Sequence, residues 1–239
     1  MTALRLFCFH HAGGDAAVYR DWPRMLSPRV AVCPVQLPGR GTNGDHPRFT
    51  DLDALVDHLD TQLAEELSVP HAFFGHSLGA LVAYRLACRR RAAGRPLPRV
   101  LLLSAYSAPH LDPPLPEVDD LDDAHLARLL ADIGGLPERV LDRHGWLARA
   151  LPLVRDALHL CVRHRDAGEP PLACPVHVYG ADADPLVTEA DLHAWGRHTT
   201  DLREVRILPG NHFYLHDSAD GLLPMLRSAL HGCMAGEPR

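Results

Sequence analysis

Six short apolar runs punctuate the chain, at residues 4–9, 30–37, 72–75, 100–105, 175–179 and 204–208. Each is nearly continuous rather than alternating, the pattern of strands buried on both faces of a parallel sheet. Between the runs, apolar positions recur with helical spacing. Leu52, Leu55, Val56, Leu59 and Leu63 share one face of a helix that Thr50 can cap and that extends to about Leu67. Residues 78–91, 188–198 and 218–231 supply helices after the third, fifth and sixth runs. This alternation predicts an α/β fold with a mostly parallel, doubly wound sheet.

The alternation stops between the fourth and fifth runs. Asp112-Pro113-Pro114-Leu115-Pro116 breaks the chain after a strand. Leu126, Leu129, Leu130 and Ile133 then fall on one helix face. Gly134-Gly135 ends that helix, and Pro137 suits the first turn of another. A further helix spans residues 146–163, with Pro152 as a kink point. Residues 110–168 are thus expected to form a helical insertion in a single domain, 1–239. An insertion can add core packing. This one leaves from the strand ends, where α/β sheets bind ligands, which favours a lid over a site.

A length of 239 residues suits one such domain. The net charge of −6 gives no reason to expect nucleic-acid binding. No run approaches the length of a membrane-spanning helix, and the N-terminus lacks the regions of a signal peptide. The six cysteines show no C-x-x-C spacing and lie mostly in apolar runs, so a reduced, cytoplasmic protein is expected.

The chemistry centres on Gly75-His76-Ser77-Leu78-Gly79, a G-x-S-x-G motif between a strand and a helix. In that setting the glycines permit a sharp turn, and the helix N-terminus directs free N–H groups at the Ser77 hydroxyl. A serine needs a base, and His212 after the last strand fits. The base needs an orienting acid, for which Asp182 and Asp184 both follow the fifth strand. Serine, acid, histidine is the chain order of the α/β-hydrolase triad. The Leu78 N–H and one from the loop His10-His11-Ala12-Gly13-Gly14 would hold the oxyanion, with Ala12 preferred over His11. The His10/His11 and His212/His216 pairs lack the companions of a zinc site, so no metal is expected. The run Arg89-Arg90-Arg91, with Arg95 and Arg99, reads as a solvated helix end that could also meet an acidic partner.

These residues resemble the type II, external thioesterases of polyketide and nonribosomal peptide biosynthesis, and the likeness covers nearly the whole chain. It rests on Phe9-x-x-Ala12-Gly13-Gly14, Leu37-Pro38-Gly39-Arg40-Gly41, Phe74-Gly75-His76-Ser77-Leu78-Gly79, the stretch from Ser104-Ala105 to Pro109-His110, and Gly134-Gly135-Leu136-Pro137. Trp195 and Pro209-Gly210-Asn211-His212-Phe213 complete it. The family often has Pro at the place of His10 and Gly at that of Asn211.

The resemblance implies an α/β-hydrolase fold with a helical lid. It aligns the acid with Asp184 rather than Asp182. It implies an enzyme that clears acyl groups from the phosphopantetheine arm of acyl or peptidyl carrier proteins, editing misprimed or stalled units in antibiotic biosynthesis. No resident cofactor is implied, because the arm arrives with the partner. Nucleic-acid and membrane partners are not expected. The same triad would serve a hydrolase of small esters or acyl-CoA. A non-catalytic binding protein of this fold would have no use for all three triad residues.

Overall fold

The computed structural model describes residues 3–26, 28–40, 43–44, 46, 48–115, 118–136, 138–216 and 221–235. Six strands form one sheet: β1 (Leu4–Phe9), β2 (Val30–Val35), β3 (His71–His76), β4 (Leu101–Ser104), β5 (Val176–Ala181) and β6 (Leu202–Leu208). Their order is β2-β1-β3-β4-β5-β6 and every pairing is parallel. The β3 and β4 strands are buried at every residue, their apolar centres as a parallel sheet requires and their polar ends, His71, His76 and Ser104, with them.

The α-helices are α1 (Trp22–Met25), α2 (Leu52–Gln62), α3 (Leu78–Ala92), α4 (Asp123–Asp132), α5 (His144–Val162), α6 (Glu189–His193) and α7 (Leu222–Ala235). The short α1 carries no readable period and escapes sequence analysis. Two boundaries differ from expectation for identifiable reasons. Asp51, not Thr50, caps α2, its side chain accepting from the Ala54 N–H. That helix stops at Gln62, near Thr61, whose hydroxyl bonds back to the Asp57 carbonyl, and a separate 3-10 turn follows at Glu66–Ser68. At the other end of the chain, α7 begins at Leu222; Ser218, where the sequence suggested a start, lies outside the described residues, as does Pro137.

Between β4 and β5 the described residues form helices α4 and α5, joined through Gly134-Gly135 and a 3-10 turn at Glu138–Val140. Gly134 has φ +84, a left-handed conformation that ends α4. Pro152 lies inside α5 and removes one of its backbone donors. Helix α4 buries one face, through Leu126, Ala127 and Leu130. The first half of α5 does the same through Leu147, Leu151 and Val154, whereas its last six residues, 157–162, are buried all round.

Candidate active site

The site begins at the junction of β3 and α3. Ser77 adopts φ 54 and ψ −122, a conformation disfavoured for any residue with a Cβ. It is held there from both sides. The Ser77 N–H donates to the Ser104 carbonyl at 2.8 Å, and the Ala80 N–H closes the first turn of α3 onto the Ser77 carbonyl at 2.8 Å. The flanking glycines are required by close approach. A Cβ on Gly75 would lie 2.0 Å from the Gly79 carbonyl oxygen, and one on Gly79 would lie 2.0 Å from that of Phe9. Strand, turn and helix are locked backbone against backbone, with the Ser77 hydroxyl turned away from the sheet.

His212, in the loop after β6, meets that hydroxyl. Its Nε2 lies 3.1 Å from Ser77 Oγ, and its Nδ1 lies 2.8 Å from Asp184 Oδ2. A carboxylate only accepts, so Nδ1 carries the proton and Nε2 is left to accept from the serine. The Asp184 side chain is fully buried, and its second oxygen accepts the Leu186 N–H at 2.9 Å. Asp182 does something else. Its Oδ1 accepts the Gly210 N–H at 3.0 Å, tying the β5 loop to the loop that carries His212. Of the two rival acids, Asp184 therefore reaches the imidazole and Asp182 braces the turn. Ser77, Asp184 and His212 converge from three separate loops at the C-terminal ends of the strands.

The Leu78 and Ala12 N–H groups donate to no other backbone acceptor among the described residues, and the same holds for His11. Gly13 and Val154 press together above them; a Cβ on Gly13, at φ +80, would lie 3.0 Å from the valine side chain. Beside this loop lies a cavity of about 100 Å³. Its floor includes His11, Ala12 and Phe213, and its cover includes Leu130, Leu136, Trp146 and Val154. The helical segment also packs on the base loop directly, Gly134 against the Asn211 side chain and Gly135 against the Phe213 ring. The chain's Asn211 is thus part of the seam between cover and site.

The imidazoles of His10, His11 and His76 are buried. Burial pushes His10 down to about 3 and His11 to about 4, despite the carbonyl that each Nδ1 meets at 2.9 Å. Burial likewise holds His76 well below the usual histidine range, and the neighbouring His212 adds to that effect. The described residues contain no cluster of three or more His, Cys, Asp or Glu arranged to hold a metal.

Ser104, Tyr214, Arg40 and Arg48 were not apparent as contributors in the sequence. His76 Nδ1 lies 2.8 Å from Ser104 Oγ, which lies 2.6 Å from the Tyr214 hydroxyl. The signal for Ser104 was its place opposite His76 in the β3–β4 register. Arg40 is buried beneath α5 and donates through Nη2 to the Leu153 carbonyl, fastening the second-strand turn to the cover. Arg48 pairs with Asp156 of the same helix at 2.8 Å. The arginine run on α3 is not an open basic patch. Arg90 is buried against Asp60 and two carbonyls, while Arg89, Arg91 and Arg95 pair with Asp57, Glu169 and Asp60.

The family model of the thioesterase domain matches residues 4–230. The chain belongs to the thioesterase family. Its relatives agree over nearly its whole length. The gramicidin S biosynthesis protein GrsT of Aneurinibacillus migulanus is 32% identical over 90% of this chain and 84% of the relative. A protein of Brevibacillus parabrevis named linear gramicidin dehydrogenase LgrE is 36% identical, over 97% of this chain and 89% of its own. The solved structure of RedJ, a thioesterase from the prodiginine biosynthetic pathway of Streptomyces coelicolor, is 39% identical with a TM-score of 0.90, covering 95% of this chain and 85% of that one. This thioesterase has the α/β-hydrolase fold and hydrolyses thioesters.

Proposed function

We propose that this thioesterase releases acyl groups from the phosphopantetheine arm of carrier proteins in nonribosomal peptide or polyketide synthesis, through an acyl-enzyme on Ser77. The observation that carries the reading is the unbroken line Ser77–His212–Asp184 at a strained elbow, covered by a helical segment with a small cavity beside the oxyanion loop. The relatives' pathways supply the substrate class.

In this reading Ser77 Oγ attacks the thioester carbonyl while His212 Nε2 takes its proton. Asp184 holds the imidazole with Nδ1 protonated and stabilises the imidazolium. The developing oxyanion meets the Leu78 and Ala12 N–H groups, already in place. The thiolate leaves, taking the proton from His212. A water then gives a proton to His212 and attacks the acyl-serine; the acyl–Oγ bond breaks, His212 returns the proton to Ser77 Oγ, and the acid is freed. No resident metal or cofactor enters the scheme. Helices α4 and α5 act as the lid, excluding water and measuring the acyl chain. The free buried cysteines, Cys8, Cys88, Cys161 and Cys174, fit a reducing compartment such as the cytoplasm.

The dehydrogenase name carried by one relative is not matched by a nucleotide fingerprint here. The chain's single G-x-G-x-x-G, residues 39–44, follows β2, and the next described α-helix opens only at Leu52. A dinucleotide site needs the helix to open at those glycines. The decisive experiment loads one short acyl group on a carrier protein, on CoA and on a pantetheine mimic. A clear advantage in kcat/KM for the carrier is expected, since remote contacts position the thioester. Equal rates on all three would make the protein a general acyl-thioester hydrolase.

A further inference from the structure

Three polar side chains behind the nucleophile form a line that the reaction scheme does not use. His76 on β3, Ser104 on β4 and Tyr214 two residues beyond His212 are all buried. Their contacts, 2.8 Å from His76 Nδ1 to Ser104 Oγ and 2.6 Å from Ser104 Oγ to the Tyr214 hydroxyl, bind two core strands to the loop that carries the base. The line rests on the triad reading above. From it we infer that His76 is a positioning residue for His212, set in one tautomer by Tyr214 acting through Ser104.

The tautomer follows from counting protons. The Tyr214 hydroxyl meets no other partner among the described residues, so its proton goes to Ser104 Oγ. Ser104 has one proton, and with Tyr214 donating to it, that proton goes to His76 Nδ1. His76 Nδ1 then accepts, and the ring's own proton sits on Nε2. Burial keeps the ring from taking a second proton, and Tyr214 is held above its ordinary range, so the hydroxyl keeps its proton.

The consequence lies at Nε2. That nitrogen is buried with no hydrogen-bond partner, and the His212 backbone acts on the ring as a hydrogen-bond acceptor would. No backbone donor among the described residues takes the His212 carbonyl. With the proton on Nε2, His76 offers a donor to that carbonyl. With the opposite tautomer it would offer a lone pair and push the loop away. Catalytic hydrogen bonds are commonly long in the resting enzyme and tighten along the reaction. A neutral ring also spares the His212 imidazolium a second positive charge 5.5 Å away, centroid to centroid. Ser77 takes part in the same brace, because its N–H donates to the Ser104 carbonyl.

The test is the tautomer itself. Nitrogen-15 imidazole spectra of the wild-type enzyme, with His76 assigned from its backbone correlations, are expected to show the proton on Nε2. Tyr214→Phe keeps the ring and removes the last donor, so a mixture with the Nδ1–H form is expected. Its kcat should fall roughly tenfold with KM within twofold, the signature of a group that acts only as the transition state forms. Ser104→Thr, which retains a hydroxyl, should recover more of kcat than Ser104→Ala. A wild-type His76 protonated on Nδ1 would overturn the inference. So would full kcat in Tyr214→Phe, or a loss carried by KM alone. These outcomes are separate from the triad reading, which stands or falls on whether Ser77→Ala retains turnover.

Discussion

The floor of the site and its cover are built by different kinds of contact. In the floor, β3 and α3 meet through main-chain atoms. Gly75 touches Gly79, and Gly79 touches Phe9, at distances no side chain could enter. In the cover, α4 and α5 meet the floor mostly through side chains: Val154 on Gly13, Phe213 on Gly135, Asn211 on Gly134. Main-chain contacts cannot be varied without moving strands, whereas side-chain contacts change with one substitution. Reactivity is therefore fixed in the floor, and acyl preference is adjustable in the cover.

The largest effect should come from the floor's nucleophile. Ser77→Ala is expected to lower turnover by at least about 10³-fold while the protein stays folded, since the variant loses the covalent route but little packing. Steady-state hydrolysis of a short acyl thioester, with far-UV circular dichroism as the fold control, measures both. Residual activity above a few per cent would remove Ser77 from the mechanism.

Next comes the pair of aspartates. Asp184→Asn should cost roughly 10³ to 10⁴ in kcat, because an amide in that place can hold His212 in the wrong tautomer. Asp182→Asn should stay within about threefold, because the amide oxygen can still accept the Gly210 N–H. The reverse order in kcat would show that Asp182 orients the base.

These two predictions rest on residues that were legible in the sequence, and the reason is local. Gly75-x-Ser77-x-Gly79 needs only its neighbouring strand and helix to be read, and the strand-to-helix change is written in the hydrophobic period. His212 follows from the turn after the last strand. The choice of Asp184 came from family likeness, since Asp182 and Asp184 both sit at the same strand end. Arg40, Ser104 and Tyr214 could not be read in this way. Each matters through a partner 28 to 113 residues away, brought close only by the sheet register or by helix α5. The short α1 was missed because four residues are too few to show a period.

A third prediction separates floor from cover by acid. Burial holds His10, His11 and His76 below the ordinary histidine value of about 6.5, His10 at about 3 and His11 at about 4. In the unfolded chain they would titrate near 6.5, so unfolding below that pH takes up protons. Their neutral burial contributes in full above about pH 6.5 and is progressively lost as pH falls towards 4, by about 1.4 kcal/mol per pH unit for each group. Urea unfolding midpoints at pH 7 and pH 5 should show this fall. His11→Phe should flatten it. A stability unchanged between those pH values would mean the floor admits water.

The cover carries the fourth. Trp146 is the one large hydrophobic residue among the described residues that is exposed, at 42%, and it lines the cavity. Trp146→Ala should shift acyl preference towards longer chains by about tenfold, the scale of a methylene or two in an apolar pocket. Labelling of Ser77 by a small organophosphonate, which needs little of the pocket, should stay within about twofold. If labelling fell with selectivity, cover and floor would not be independent.

The smallest effect is expected where the sequence left open a partner surface. Arg89, Arg91 and Arg95 lie at or just beyond the C-terminal end of α3, while Ser77 lies at its other end; fourteen residues of helix separate Ser77 from Arg91, roughly 21 Å. Their charges are already met by Asp57, Glu169 and Asp60. A carrier docking there would have to displace those carboxylates and would stand at the far end of the helix from the thioester. Half-exposed pairs such as Arg89–Asp57 contribute little to stability, about 0 to 1 kcal/mol. The double variant Arg89→Ala/Arg91→Ala should therefore stay folded and keep kcat/KM on carrier-bound substrate within about twofold. A loss on the carrier substrate alone, suppressed by salt in the wild type, would place docking on this helix end after all. Retention of the carrier advantage would direct the search for the docking face to the cover, where the cavity opens beside Trp146.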